Sequence, residues 1–272
     1  MCISKKSSTF VPEMEKTAEQ IELERLRARL TRKFHKACAD YSLLADGDKV
    51  LIGLSGGKDS LALVELLGRR AQIYKPRFEV MALHVRVKER DYRTDLSYLE
   101  AFCKEAGVEL IVRDTMIDAQ NPSPAFPTRE SARLRENPCF LCSWYRRKAL
   151  FNAAQELGCN KIAFGHHRDD VIETLLMNMI YQGAFATMPP MLQMDKMPLR
   201  IIRPLCLIDE AELVRYAAMS GYEKQEKLCP FEHLSARDSV KGLLAQIKAL
   251  NPEAPDNIYA AMSNVKTEYL PR

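Results

Sequence analysis

The hydrophobic pattern of the chain changes period several times, and each change marks an element. From Lys16 to Ala39 the apolar positions Ile21, Leu23, Leu26, Leu30, Phe34 and Ala37 recur at helical spacing, which predicts an amphipathic helix that ends before Gly47. Beyond it, short apolar runs alternate with helical stretches. Residues 49–54 (KVLIGL) read as strand, 60–70 as helix, 78–85 (FEVMALHV) as strand, 94–107 as helix and 108–114 (VELIVRD) as strand. Pro122, Pro124 and Pro127 then punctuate a long loop. Residues 143–158 read as helix, 160–165 (NKIAFG) as strand, 170–183 as helix and 200–205 (RIIRPL) as a last strand. Residues 209–221 open with acidic residues and stop at a glycine, as a helix does.

Strands alternating with helices predict an α/β fold, a parallel twisted sheet covered by helices on both faces. Ligands of such sheets sit beyond the carboxyl ends of the strands. Three features fall at strand ends: residues 55–60, His84, and residues 165–170. The expected organisation is a flexible tail at 1–15, an N-terminal basic helix at 16–46, a catalytic domain at 47–221 and a helical C-terminal segment at 222–272.

Composition changes this picture little. The 272 residues are 47% hydrophobic, enough to bury a sizeable core, and the formal charge is only +4. The distribution of charge says more. Between Arg25 and Lys36 stand six Lys/Arg (Arg25, Arg27, Arg29, Arg32, Lys33, Lys36) and no Asp/Glu. A second basic cluster comprises Arg129, Arg133 and Arg135, then Arg146, Arg147 and Lys148. These are either solvated helix faces or a track for a phosphate backbone. The start of the chain has no apolar run of signal-peptide type, so a reducing cytoplasm is expected, where clustered cysteines mean metal or catalysis rather than bridges. Residues 174–194 carry no charge but include Asn178, Gln182, Pro189, Pro190 and Gln193, which predicts a buried helix running into a loop rather than a membrane span.

The sharpest motif is Ser55-Gly56-Gly57-Lys58-Asp59-Ser60, set between a strand and a helix. Glycines there permit positive backbone dihedrals and close approach of a ligand. Successive N–H groups and the helix N-terminus favour an anion. Lys58 adds a charge, and Ser55 and Ser60 add hydroxyls. The spacing is not that of the kinase-type P-loop. It resembles the signature of the PP-loop ATP pyrophosphatases, and the resemblance implies cleavage of ATP between the α and β phosphates with magnesium, through an adenylated substrate.

Cys139 and Cys142 form a C-x-x-C at the start of a helix, and Cys229 is the natural third ligand. With His233 the three cysteines could close a zinc tetrahedron; alone they could hold an iron–sulfur cluster with one iron open to an exogenous sulfide. Cys38, Cys103, Cys159 and Cys206 read as core thiols.

Residues 138–190, from PCFLC through GHHRDD to MPP, are similar to the tRNA 2-thiocytidine synthetase family of the PP-loop superfamily. So are GDKVLIGLSGGKDS, IIRPL and the ending YAAMSNVKTEYL, and the similarity spans about residues 28 to 270. The resemblance implies a 4Fe–4S cluster on Cys139, Cys142 and Cys229, with ATP and Mg2+ as further cofactors. It implies thiolation at C2 of a cytidine at position 32 of the tRNA anticodon loop, a sulfur donor such as a cysteine desulfurase or free sulfide, no membrane, and a possible homodimer. Many relatives have a second C-x-x-C at the third-ligand site, where this chain has Glu226. Other readings are a thiolase acting on uridine, an amine-adding PP-loop ligase, and a non-catalytic, zinc-stabilised RNA-binding module.

In residues 165–170, Gly-His-His-Arg-Asp-Asp, acidic residues at a helix start are favourable on dipole grounds alone. Magnesium-ATP and an acid/base step also need such a set. Asp169 or Asp170 is therefore expected to hold magnesium or nucleotide, with His166, His167 and Arg168 lining the pocket. Gly165 and His84 belong to the same expected ATP site. Arg146 and Arg147 are expected to stabilise the adenylate or grip the base. Arg25, Arg29, Arg32, Lys33, Arg133 and Arg135 are the expected tRNA contacts, and the base must leave its stack to reach the pocket.

Overall fold

The computed structural model describes residues 16–88, 94–117, 138–225 and 236–271. The first half of the described chain forms α1 (Ala18–Asp40), β1 (Lys49–Gly53), α2 (Lys58–Ala71), β2 (Glu79–Val87), α3 (Leu96–Glu105) and β3 (Glu109–Thr115). The second half forms α4 (Pro138–Glu156), β4 (Lys161–Ala163), α5 (Arg168–Gln182), β5 (Met191–Gln193), β6 (Arg200–Ile202), α6 (Glu210–Met219), α7 (Ala236–Leu250) and α8 (Ala254–Ala261).

The strand order is β3-β2-β1-β4-β6-β5. All neighbours are parallel except β5, which runs antiparallel to β6. A strand buried on both faces needs apolar residues at consecutive positions, and β1 has them in Val50, Leu51 and Ile52. The pleat then sends neighbours to opposite sides. Val50 and Ile52 join a cluster with Leu30 and Phe34 of α1, Leu67 of α2 and Tyr216 of α6. Leu51 joins a second cluster with Leu83, Ile162 and, from α4, Leu150 and Ala154. At the foot of the sheet the buried Lys161 donates to Asp48 Oδ2 at 2.5 Å and to Leu43 O at 2.8 Å, a cation with both a counter-ion and a carbonyl.

From β1 the chain winds through β2 to β3 on one side, then returns to place β4 on the other. The strand order thus reverses between β1 and β4, the crevice where such sheets take ligands.

One expectation is corrected. Residues 174–194 are not a buried helix and loop. Leu175 is buried, but Met179, Ile180, Tyr181 and Phe185 are about half exposed, and β5 begins at Met191. The RIIRPL stretch forms the last strand of the chain, over Arg200–Ile202, and lies beside the antiparallel edge strand β5. Among the described residues no helix is long and apolar enough to cross a membrane.

Candidate functional site

The phosphate loop follows β1 directly. Gly56 has φ +81°, which favours glycine, and a Cβ there would lie 3.0 Å from Gln225 Cγ, a tight contact that the glutamine side chain would have to relieve. Gly57 differs from the expectation: it is extended (φ −79°) and serves as the N-cap of α2. Ser60 is buried, and its hydroxyl donates to Gly57 O at 2.8 Å while its oxygen accepts from Ser55 N at 3.3 Å. Ser60 therefore braces the loop from within. Lys58 Nζ lies 3.2 Å from Asp59 Oδ2 and 3.5 Å from Glu210 Oε1.

The turn after β4 meets this loop. An added Cβ at Gly165 would come within 3.0 Å of Asp59 C and O and 3.1 Å of Ser60 N, so only glycine lets the two strand-end segments touch backbone to backbone. Beyond the turn, His167 caps α5. Its Nδ1 accepts from Asp170 N at 3.3 Å, and its own N–H donates to Asp170 Oδ2 at 3.0 Å, the reciprocal arrangement of a capping box.

Between the two segments opens a cavity of about 290 Å3, near the lower end of the range for small-molecule sites. Ser55, Asp59 and Ser60 line it from the loop, Gly165, His166 and Asp170 from the β4–α5 turn, His84 from β2, and Arg146 and Arg147 from α4. Sequence-predicted residues from four parts of the chain thus converge. His84 is buried and donates from Nδ1 to Leu54 O at 2.9 Å; burial lowers its pKa, so the ring is neutral. Burial also pushes His166 down to about 4, against the pull of Asp170 and with the help of Arg203, Arg237 and Arg147. Asp59 Oδ1 and His166 Nδ1, buried in this lining, have no hydrogen-bond partner among the described residues.

The structure separates Asp169 from Asp170. Asp169 is not in the cavity wall and is almost wholly buried. One oxygen pairs with Lys248 of α7, and the other accepts Glu210 N–H at 2.8 Å. Burial would raise this carboxyl, but these donors overcome it and leave its pKa below the ordinary value. Two residues expected in the pocket wall are elsewhere: His167 is the buried cap, and Arg168 is buried in a pairing with Asp209 and Asp256.

Helix α7 adds a row of cations that the sequence reading passed over. Arg237 approaches Asp170 (3.6 Å) and Glu173 (3.4 Å), Lys241 pairs with Glu210 at 2.8 Å, and Lys248 takes Asp169. Their spacing at i, i+4 and i+11 puts them along one helix face, a signal that was present in the sequence.

Cys142 is buried on α4, one turn before Arg146. Cys139 lies three residues earlier on the same helix, so the two positions share a face. The Cys139 side chain, Cys229, Glu226, His233, Arg129, Arg133 and Arg135 lie outside the described residues. Among those described, no three His, Cys, Asp or Glu side chains converge on a metal position. Cys103, Cys159 and Cys206 are buried and Cys38 is half-buried; burial pushes Cys103 and Cys206 up to about 11 and Cys38 to about 12, as for unreactive core thiols.

The basic face of α1 divides. Lys33 donates to Asp209 and Glu212 at 2.6 Å each, and Arg29 lies 3.8 Å from Glu212. Lys33 is thus spent on joining α1 to α6. Arg25 and Arg32 are exposed with no carboxylate partner among the described residues.

Comparison with known proteins gives three results. The PP-loop domain family matches residues 26–226. The tRNA-cytidine(32) 2-sulfurtransferase of Alcanivorax borkumensis is 33% identical, covering 93% of this chain and 87% of that one; the Sorangium cellulosum protein of the same name is 37% identical over 90% and 84%. Among solved structures, the U34-tRNA thiolase NcsA from Methanococcus maripaludis with its [4Fe-4S] cluster superposes with a TM-score of 0.70 at 28% identity, covering 91% of this chain and 82% of that one.

Proposed function

The chain belongs to the PP-loop family and, within it, to the tRNA-cytidine(32) 2-sulfurtransferases, and from that membership we propose that it thiolates C2 of cytidine 32 in tRNA at the expense of ATP. One observation carries the reading in this molecule. A single cavity joins the phosphate loop after β1, the turn after β4 and the two arginines that follow the C-x-x-C on α4.

The overall chemistry is balanced. The 2-oxo oxygen of the base bonds to the α phosphorus of ATP and pyrophosphate leaves. Sulfur then bonds to C2, and the C2–O bond breaks with departure of AMP. The loop's N–H groups and Lys58 receive the pyrophosphate end, at the positive end of α2. Arg146 and Arg147 face the α phosphate, where their permanent charge stabilises the oxygens that gain negative charge. Neutral His166 and His84 offer the nucleotide hydrogen bonds without adding charge. Gly165, by holding the two turns in contact, keeps these groups in one geometry.

The carboxylates of the cavity suit Mg2+, and three cysteines are the donor type that a 4Fe–4S cluster takes. Asp59, with its unpartnered buried oxygen, and Asp170 would hold Mg2+ with the phosphates, where the ion would spread the leaving group's charge. Asp169, with both oxygens engaged, positions α6 and α7. Cys139, Cys142 and Cys229 would hold the 4Fe–4S cluster, which supplies an iron that can carry the incoming sulfur. A cysteine desulfurase or free sulfide would provide that sulfur, in the cytoplasm, and the enzyme would work as a homodimer. The tRNA would lie across Arg25 and Arg32 and the segment holding Arg133 and Arg135.

Nucleoside mass spectrometry of total tRNA from the host with and without the gene tests the substrate. Deletion is expected to abolish 2-thiocytidine. Persistence of 2-thiocytidine with loss of a 2-thiouridine would move the assignment to the other base.

A further inference from the structure

β2 outruns its neighbour. Its register with β1 ends where Gly53 meets Leu83, and β1 then turns into the phosphate loop. Its register with β3 continues from His84–Val112 through Arg86–Asp114 to Val87–Thr115. The two strands therefore run on as a ribbon beyond the end of β1. On that ribbon Val85 and Val87 are buried. His84, Arg86 and, one residue past the strand, Lys88 occupy the alternate positions, and Arg86 and Lys88 are exposed.

Beside this ribbon opens a second cavity of about 230 Å3, lined in part by His84, Arg86, Lys88, Thr94, Asp114 and Arg146. His84 and Arg146 also line the cavity between the phosphate loop and the β4–α5 turn, so the two spaces share a wall. Arg86 donates from Nε to Asp114, its cross-strand neighbour, at 2.7 Å. Asp114 is the one carboxylate of this lining among the described residues, and it stands against three cations, Arg86, Lys88 and Arg146. Size and charge together narrow the ligand. Pockets that hold a whole small molecule measure about 300–1,000 Å3, so this smaller one suits one end of a ligand that continues into the adjoining cavity or into solvent. Its surplus of positive charge selects an anion. The phosphates of ATP already have a receptor in the 55–60 loop. The other reactant brings its own, because a base drawn out of its stack carries a phosphodiester on either side.

We propose that the end of the β2–β3 ribbon is where the RNA strand enters the reaction site: Arg86 and Lys88 bind a phosphodiester flanking the extruded cytidine, and the base passes His84 and Arg146 into the nucleotide cavity. This rests on the tRNA reading given above. Asp114 holds the Arg86 guanidinium in place, and Lys88 adds a point charge on a flexible stem. A phosphate of ATP has the same chemistry as a phosphodiester, and the test separates the two sources.

The test uses the full chain with ATP and with an anticodon stem-loop RNA in which a phosphate flanking cytidine 32 is replaced by a neutral methylphosphonate, one side at a time. Filter binding reads RNA affinity and calorimetry reads ATP affinity, in the wild type and in the double variant Arg86→Gln, Lys88→Gln. In the wild type the neutral linkage on one side of cytidine 32 is expected to lower RNA affinity about fivefold. The double variant should bind the unmodified RNA about tenfold more weakly, with a salt slope lower by about 1–2, and the neutral linkage should then cost it less than about twofold. ATP affinity should stay within about twofold. Lys88→Gln alone keeps the Arg86–Asp114 pair and should shift RNA affinity in the same direction by a smaller factor, which decides the matter if the double variant fails to fold. A neutral linkage that costs wild type and variant equally, or costs the wild type nothing on either side, overturns the inference alone. A fall in ATP affinity that matches the fall in RNA affinity also overturns it, since the cations would then serve the nucleotide. Wild type that binds ATP but no RNA would sink the tRNA reading and the entry site with it.

Discussion

Lys248 reaches from α7 across to Asp169 on the first turn of α5, and the same carboxylate accepts the N–H of Glu210 that opens α6. One buried carboxylate therefore joins three helices. Asp169 and Asp170 are neighbours in sequence, yet adjacent helix positions diverge by about 100°. One carboxylate meets α7, and the other meets the cavity.

Replacing Lys248 with Met leaves the Asp169 carboxylate buried without its cation. Breaking a buried pair costs about 3–5 kcal/mol, and the partial exposure of Lys248 reduces this to about 1–2 kcal/mol. Urea unfolding at pH 7 should show that loss. The sign with pH follows from the depressed carboxyl. Asp169 binds protons less readily folded than unfolded, so its contribution is complete above the unfolded carboxylate pKa of about 4 and is lost as pH falls through the folded value. In Lys248→Met this acid-side loss of stability should shrink. An acid limb identical to wild type would refute the pairing.

Gly165→Ala tests the contact between the two strand-end turns. The methyl group would meet backbone atoms of Asp59 and Ser60, which cannot rotate away. Overpacking of this kind costs about 1–3 kcal/mol. The displaced loop should also weaken ATP binding at least tenfold. Calorimetry and thermal unfolding read the two effects separately; intact ATP affinity would show that the loop tolerates separation from the β4 turn.

The sequence was most legible where burial is symmetrical. β1, β2 and β4 are buried runs because helices cover both faces, and such runs stand out without any partner being known. β5 is three residues behind Pro189–Pro190, too short to show a period. Hydropathy also could not tell the covered start of α5 from its bare end at Met179, Ile180 and Tyr181. The cavity residues were legible because the phosphate motif and the strand ends fix each other. Lys33 was not, because the carboxylates that neutralise it lie 176 and 179 residues away.

The divided face of α1 predicts different outcomes for its cations. Arg25→Ala with Arg32→Ala removes two exposed charges and should weaken tRNA binding severalfold while lowering the salt slope by about 1–2. Lys33→Met should instead reduce stability, because Asp209 and Glu212 lose their shared cation, and leave the salt slope unchanged. Filter binding at a series of salt concentrations measures both. A flat response to the arginine pair would move the tRNA track off this helix.

The last prediction concerns the cysteines, which the chain uses in two ways. Cys103, Cys159 and Cys206 are buried with raised pKa values, so they remain protonated thiols and poor ligands at neutral pH. Cys142 sits one turn from an arginine of the cavity wall, apart from those core thiols. Serine at Cys139, Cys142 or Cys229 should abolish bound iron and acid-labile sulfide after anaerobic reconstitution and should eliminate thiolation. Serine at Cys103 should leave iron content at the wild-type level. ATP binding should persist in the three ligand variants, because the 55–60 loop and Gly165 are held by backbone contacts that involve none of these sulfurs. Zinc in place of iron in the anaerobic wild type would instead favour a closed structural site, and retention of thiolation in the Cys142 variant would detach the cluster from the reaction.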